Sequence, residues 1–313
     1  INGMHYDDNG SGGNKSRNDL MWSADVIKVG LAGSIRDYVM TTHWDATLRL
    51  EQIDYNGQPA GYVVDPQEVV NYVENHDNWT LFDNNAFKLP TATNREDRAR
   101  VQILGAAINS FSQGVSYFHA GIDTLRSKSL DRNSYDSGDW FNRIDWSYRD
   151  NGYAAGLPPQ GDNGGNWSVM GPLLANAEVK PTETETRWTR DAFRDLMKIR
   201  ASSRLFRLRT ADEIKQRLTF RNTGSAQVAP VLAAHLDGNG YQGAGFREVL
   251  YFVNVDRIGQ TLTIPEEAGK QYRLHPVHTA YDAADRRAAA ATYDSASGRF
   301  NLPPRTAVVF VVR

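Results

Sequence analysis

The chain has 313 residues, 40% hydrophobic and 23% charged, which is room for one large domain or a large and a small one. A formal net charge of -2 gives no electrostatic reason to expect nucleic acid or an anionic membrane as partner. Cysteine is missing, which excludes disulfides and thiolate chemistry and leaves the redox compartment undetermined. Seven Trp and fourteen Tyr supply flat amphipathic rings suited to a core or to a sugar cleft.

The chain starts at Ile1 without a charged-then-apolar leader or a long apolar run. The expectation is no signal peptide or membrane span within it, and a longer precursor behind a start that lacks Met. Residues Ile1 to Asp19, rich in Gly, Asn, Asp and Ser, read as a loop. Asp7, Asp8, Asn9 and Gly10 within them are better read as a turn than as a calcium loop. Apolar residues at mixed spacings predict one or two short helices between Leu20 and Thr41. Asp54-Tyr55-Asn56-Gly57 and Gln58 to Tyr62 are turn chemistry.

Val69, Val70, Tyr72 and Val73 predict a short buried strand that runs into Glu74, His76, Asp77 and Asn78. A strand delivers the polar groups at its carboxyl end to one spot, which in barrel enzymes is where chemistry is done. Asn94 is placed to cap a helix carrying Val101, Leu104, Ile108 and Phe111 at the spacing of a half-buried element, ending at Gly114. Val115 to His119 then predicts a second strand, so the unit is a parallel crossover. The segment Ala120 to Pro181 is full of Gly, Asn, Asp and Trp, and loops of that length are usually functional. A helical pattern with Trp188, Ala192, Leu196 and Ile199 on one face occupies Glu183 to Arg204.

From Arg207 the pattern changes. Leu218 to Phe220, Val231 to Ala234, Val249 to Val253, Leu262 to Ile264 and Thr306 to Val312 are short β runs between turn residues. They predict an all-β sandwich over 207–313. The fold class is α/β followed by all-β, with an incomplete α/β part.

Tyr72-Val73-Glu74-Asn75-His76-Asp77-Asn78 resembles the fourth conserved region of the α-amylase superfamily. Arg126-Ser127-Lys128-Ser129 and the run Asn133 to Arg143 are similar to type I pullulanases, as are Ile53 to Gly57 and Phe220 to Gly224. The likeness extends from about Leu20 to the carboxyl terminus. It implies that residues 1–206 are the carboxyl-terminal portion of a (β/α)8 barrel, with about its seventh and eighth strands, and that 207–313 are a sandwich domain. It also implies a parent glycosidase that cleaves α-1,6 linkages in pullulan, amylopectin or limit dextrins with retention.

Retention asks for two carboxyl groups about 5 Å apart. By the resemblance these come from barrel strands that precede this chain. The family's third carboxylate, a transition-state stabiliser, matches Asp77, and His76 and Asn78 match sugar-binding positions. Arg132, Asn133 and Tyr135 match groups that hold neighbouring glucose units, although Asp would be expected where Asn133 stands. From these residues alone the better reading is that Asp77 caps a helix or turn and His76 is a satisfied buried histidine; the flanking pullulanase-like segments turn the balance to the sugar-binding role. Glu74 is the nearest further carboxylate, but an odd separation turns it to the opposite face from Asp77.

Arg126 and Lys128 are substrate contacts or ion pairs holding the loop, and Trp79 and Trp167 are candidate stacking rings. Trp140 and Phe141 are expected in the loop core, and His119 as a packed structural residue. The chain alone is expected to be inactive without the rest of its barrel. The alternative is a non-catalytic α-glucan-binding or assembly protein derived from a pullulanase. No cofactor is required for the chemistry and no metal residue is named, although related enzymes carry structural calcium. The resemblance suggests a secreted or cell-surface bacterial location.

Overall fold

A computed structural model describes residues 16–313. The predicted turn at Asp7 to Gly10 lies outside them. The carboxyl-terminal region is built on a five-stranded antiparallel sheet. Its strands, from edge to edge, are Arg273–Leu274, Thr306–Val312, Glu248–Asn254, Val231–Asp237 and Leu218–Phe220. A three-stranded sheet of Gln260–Thr263, Arg299–Leu302 and Thr292–Asp294 lies over one face. Val231, Ala233, Leu250, Phe252, Val308 and Phe310 share a core there with Leu262, Phe300 and Leu302. The rings of Phe252 and Phe300 are 4.9 Å apart.

The other face of the large sheet is also covered. Leu232, Ala234, Tyr251, Val253, Val309 and Val311 pack into a core with Val101, Leu104, Phe111, Leu196, Ile199 and Phe206. An antiparallel sheet with one wet face alternates apolar and polar residues, whereas one covered on both sides reads as an unbroken apolar run. The three central strands are buried through nearly their whole length, as their sequences suggest. Arg273–Leu274, Thr292–Asp294 and Arg299–Leu302 escape sequence reading. In Arg299–Leu302 two buried apolar residues alternate with exposed polar ones, too short a signal to stand out.

The covering layer is helical. Arg95–Phe111 starts at Asn94, whose Oδ1 accepts the Asp97 N–H at 2.8 Å. This helix is buried on nearly all sides rather than half-buried, because sheet, neighbouring helices and the 120–181 segment surround it. Arg98 and Arg100 are therefore 4% and 5% exposed, and Arg100 meets Asp285 at 2.9 Å. Glu183–Ser202 packs alongside, with Thr182 and Glu185 forming its capping box. Between Leu20 and Thr41 there is one helix, Arg17–Leu31, capped by Ser16, and then a strand, Val39–Thr41. The helix thus begins three residues before Leu20. Buried Asp25 and Lys28, paired at 3.1 Å, disguise the helix by placing charge on its inner face.

The predicted crossover unit is present but short. Val70–Asn71 pairs in parallel with Val115–Ser116 across the helix Arg95–Phe111. Gly114 turns into the second strand at φ +90°, and a Cβ there would lie 2.8 Å from Val69. Val69 is buried, but Val70 and Tyr72 are 53% and 51% exposed, and Val115 and Tyr117 are open as well. The expectation of a buried strand is corrected on that point. A strand buries both faces only when something packs on each, and nothing among the described residues covers the side of Val70 and Tyr72. A further parallel bridge joins Ile35 and Val63.

The 120–181 segment is organised around a small core of its own. Leu125, Leu130, Tyr153, Met170, Leu173 and Val179 gather there with Phe82, Ala86 and Ala99. Among the described residues no helix is long and apolar enough to cross a membrane.

Candidate functional site

The strand end divides its polar residues between inside and outside. Glu74 is 6% exposed, and its Oε2 accepts the Leu81 N–H at the start of the helix Leu81–Lys88. Its other oxygen lies 3.5 Å from His119 Nδ1. The opposite edge of the His119 ring is 3.3 Å from Arg126 Nη1, and Arg126 Nη2 donates to the Asn142 carbonyl at 2.7 Å. Burial lowers the Arg126 pKa, against the opposing pull of Glu74 and Asp83. Glu74, His119 and Arg126 thus form an inner file that joins the two strand ends to the following loop.

His76, Asp77 and Asn78 face outward. Their turn is held by Asn75 Oδ1, which accepts the Asp77 N–H at 2.8 Å, and Asn78 takes a left-handed φ of 59°. The side chains of His76 and Asp77 are 80% and 68% exposed and meet at 3.3 Å. His76 is therefore not a buried histidine. The next helix is capped by Thr80 rather than by Asp77.

The 126–143 segment is pressed against this turn. Lys128 Nζ donates to the His76 carbonyl at 3.1 Å, and Trp79 Nε1 donates to the Leu130 carbonyl at 2.8 Å. Beneath both lies Asp83, fully buried, which accepts the Ser127 hydroxyl and, at 2.7 Å, the Lys128 N–H. Burial pushes its carboxyl up to about 6 even though those hydrogen bonds pull the other way. Leu125, Ser129 and Leu130 all have positive φ. Non-glycine residues keep such backbone only where the surroundings fix it, and Asp83 and Trp79 do so here.

Asp131, also fully buried, organises the next turn. It accepts Ser137 Oγ at 2.6 Å and the Asn133 N–H and Asn163 Nδ2 at 3.0 Å. Sequence reading passed over Asp83 and Asp131. For Asp131 the signal available was the Asp-x-Asn spacing of a side-chain-bonded turn.

Arg132, Asn133 and Tyr135 are exposed just beyond it, Tyr135 by 82%. Asn133 Nδ2 donates to Asp162 at 2.7 Å, a bond that aspartate at this position would not make. Arg126 and Lys128 hold the loop through backbone carbonyls. Trp79 and Trp167 are half-buried with indole N–H groups bonded to carbonyls, Trp167 to Pro158 at 2.9 Å. Phe141 is half-buried, but Trp140 is 66% exposed and so does not belong to the loop core. Within its loop the guanidinium of Arg143 stands over one face of the ring.

The outward set offers an imidazole, a carboxylate, a carboxamide, a guanidinium and a phenol, all suited to hydroxyl groups. Glu74 faces inward, so it does not form with Asp77 the close pair that bond cleavage with retention requires. Elsewhere, ligand atoms of His235, Glu248 and Glu267 lie within 4.8 Å of one another inside the sandwich region. Lys270 Nζ reaches Glu248 at 2.5 Å and Glu267 at 2.7 Å, and Arg221 reaches Glu267 at 2.6 Å. Those cations already balance the two carboxylates.

Comparison with known proteins gives the family of the chain. The family model for alpha-1,6-glucosidases, pullulanase-type, C-terminal, matches residues 148–313. Pullulanase 1, chloroplastic, of Arabidopsis thaliana is 36% identical over 315 residues, covering 96% of this chain and 32% of the relative. A pullulanase of Klebsiella pneumoniae is 36% identical over 282 residues, covering 90% and 26%. The maltotriose complex of PulA from Klebsiella pneumoniae superposes with a TM-score of 0.88 at 34% identity, covering 95% of this chain and 32% of that one. The chain spans about a third or less of the length of these relatives. It belongs to the pullulanase-type alpha-1,6-glucosidases and corresponds to their carboxyl-terminal portion.

Proposed function

We propose that this chain is part of a starch-debranching hydrolase that cleaves α-1,6-glucosidic linkages in pullulan, amylopectin or limit dextrins with retention. In this reading residues 1–206 supply about the seventh and eighth strands of a (β/α)8 barrel with their helices, and 207–313 the sandwich. Asp77 steadies the oxocarbenium-like transition state, and His76 and Asn78 hold hydroxyls of the same ring. Arg132, Asn133 and Tyr135 hold the neighbouring glucose units. Nucleophile and acid/base come from outside the chain, so the chain alone does not hydrolyse glucan and needs the remainder of the barrel. No cofactor enters the chemistry, and any calcium would be structural. A secreted or cell-surface bacterial location belongs to the same proposal.

One observation carries the reading. Asp77 stands exposed beyond the carboxyl end of one parallel strand, and Lys128 ties its turn to the loop that follows the other. The maltotriose complex of a Klebsiella relative supports an α-glucan as ligand. The test joins this chain behind the preceding part of the Klebsiella pneumoniae pullulanase. The chimera is expected to release reducing sugar from pullulan, and Asp77→Asn to lower its kcat by about 10²–10³. Reducing-sugar release by the purified chain alone would overturn the proposal. Retention of pullulan without any effect of Asp77→Asn on the chimera would favour the non-catalytic binding protein.

A further inference from the structure

Trp140 is 66% exposed on a loop that is tightly tied. Asn142 Nδ2 donates to the Ser134 carbonyl at 2.5 Å and to the Gly138 carbonyl at 3.0 Å, while Ser134 Oγ returns a bond to Asn142 Oδ1 at 2.8 Å. Arg126 grips the same residue from below, and Ser137 is anchored on Asp131. The guanidinium carbon of Arg143 lies 5.6 Å from the Trp140 ring centroid, and Arg143 is itself held by Asp150 at 3.2 Å. The ring is backed on one side, fixed by its loop and otherwise open.

We propose that Trp140 is a sugar-stacking platform that extends the candidate α-glucan site along the 131–143 loop, an inference that rests on the function proposed above. A rigid aromatic face in water forgoes the burial that a core position would give it. Here the forgone burial prepares a surface for a ligand with an apolar face and a polar edge, which describes a pyranose ring. The surroundings favour sugar over protein. Exposed Asp136, Gly138 and Asp139 directly precede the ring on the same loop and bring hydrogen-bonding groups to its neighbourhood. A protein partner is served by a contiguous apolar patch. The platform is also continuous with the candidate site, because Tyr135 stands on the same loop, tied by the Ser134–Asn142 bonds.

The test is affinity electrophoresis of the purified chain in gels with graded pullulan. Trp140→Ala is expected to weaken retardation about fivefold, the scale of one aromatic contact, and Trp140→Tyr to recover most of it. Tyr281→Ala removes a ring that is 96% exposed away from the loop and is expected to migrate as the parent does. Equal retardation of Trp140→Ala and the parent overturns the platform and leaves the proposed function standing. No retardation of the parent at any pullulan concentration overturns the platform and also the glucan-binding role on which it rests.

Discussion

The sandwich and the parallel strand pair are made of similar residues and differ in what covers them. Phe300, between the two sheets, is 0% exposed, while Tyr72, just past the strand Val70–Asn71, is 51% exposed. Valine and tyrosine do not choose their burial. They are buried when both faces of their sheet have partners, which the sheets of the sandwich find in each other and in the helices before residue 207 and which the crossover unit, among the described residues, lacks on its outer face. The same chain therefore carries one region with a closed core and another whose apolar face stands open.

The largest expected contrast comes from cutting into each region. Phe300→Ala should lose about 3–5 kcal/mol, since it leaves a cavity among Phe252, Tyr293 and Phe310. Tyr72→Asn should change stability by no more than about 0.5 kcal/mol and raise solubility. Urea titration of both variants checks the pair, and equal losses would mean that the strand face is covered.

Acid should drive the two regions in opposite directions. His275 and His278 are pushed down to about 4 by burial, and each takes a backbone N–H on a ring nitrogen. Their folded pKa lies below the unfolded one, so their contribution is present above about pH 6.5 and is lost as pH falls towards 4. At pH 5 the loss is on the order of 2 kcal/mol per imidazole. Asp83 has the reverse sign, because its folded pKa of about 6 exceeds the unfolded value. Between pH 7 and 5 it should add on the order of 1 kcal/mol to the loop it supports. Hydrogen exchange at the two pH values, corrected for intrinsic rates, should show Val309 less protected in acid and Lys128 more so. Parallel changes at the two amides would refute the contrast.

The smallest effect concerns the joint between the strand end and its helix. Thr80→Ala removes the hydroxyl that accepts the Asp83 N–H and should lose about 1 kcal/mol, measured by thermal unfolding. Glu74, which holds the neighbouring N–H of Leu81, limits the loss.

How far the sequence could be read follows the same division. Val231 to Ala234, Val249 to Val253 and Thr306 to Val312 were legible because double-sided burial writes unbroken apolar runs. The helix from Arg17 was obscured by Lys28 and Asp25, a charge pair whose burial depends on Gln227, far along the chain, and on His43, in the turn after the next strand. At the strand end the cluster of polar residues was legible, and so was the opposition of Glu74 and Asp77. Their surroundings were not, since the exposure of Val70 and His76 depends on neighbours that no local pattern encodes. Asp131 went unnoticed because a single aspartate in a polar loop looks the same whether it is solvated or central.

The rings of Phe111, Phe206 and Tyr251 lean on one another across the change in sequence character at Arg207, with Phe111 and Tyr251 4.9 Å apart. Recombination that severed the gene there would strip one side of the five-stranded sheet and leave Tyr251, Val253 and Val309 wet. Heredity must then transmit helix and sheet as a single cargo. An engineer exchanging this portion between members of the family has to place the splice upstream of Arg95, or rebuild the seam ring by ring.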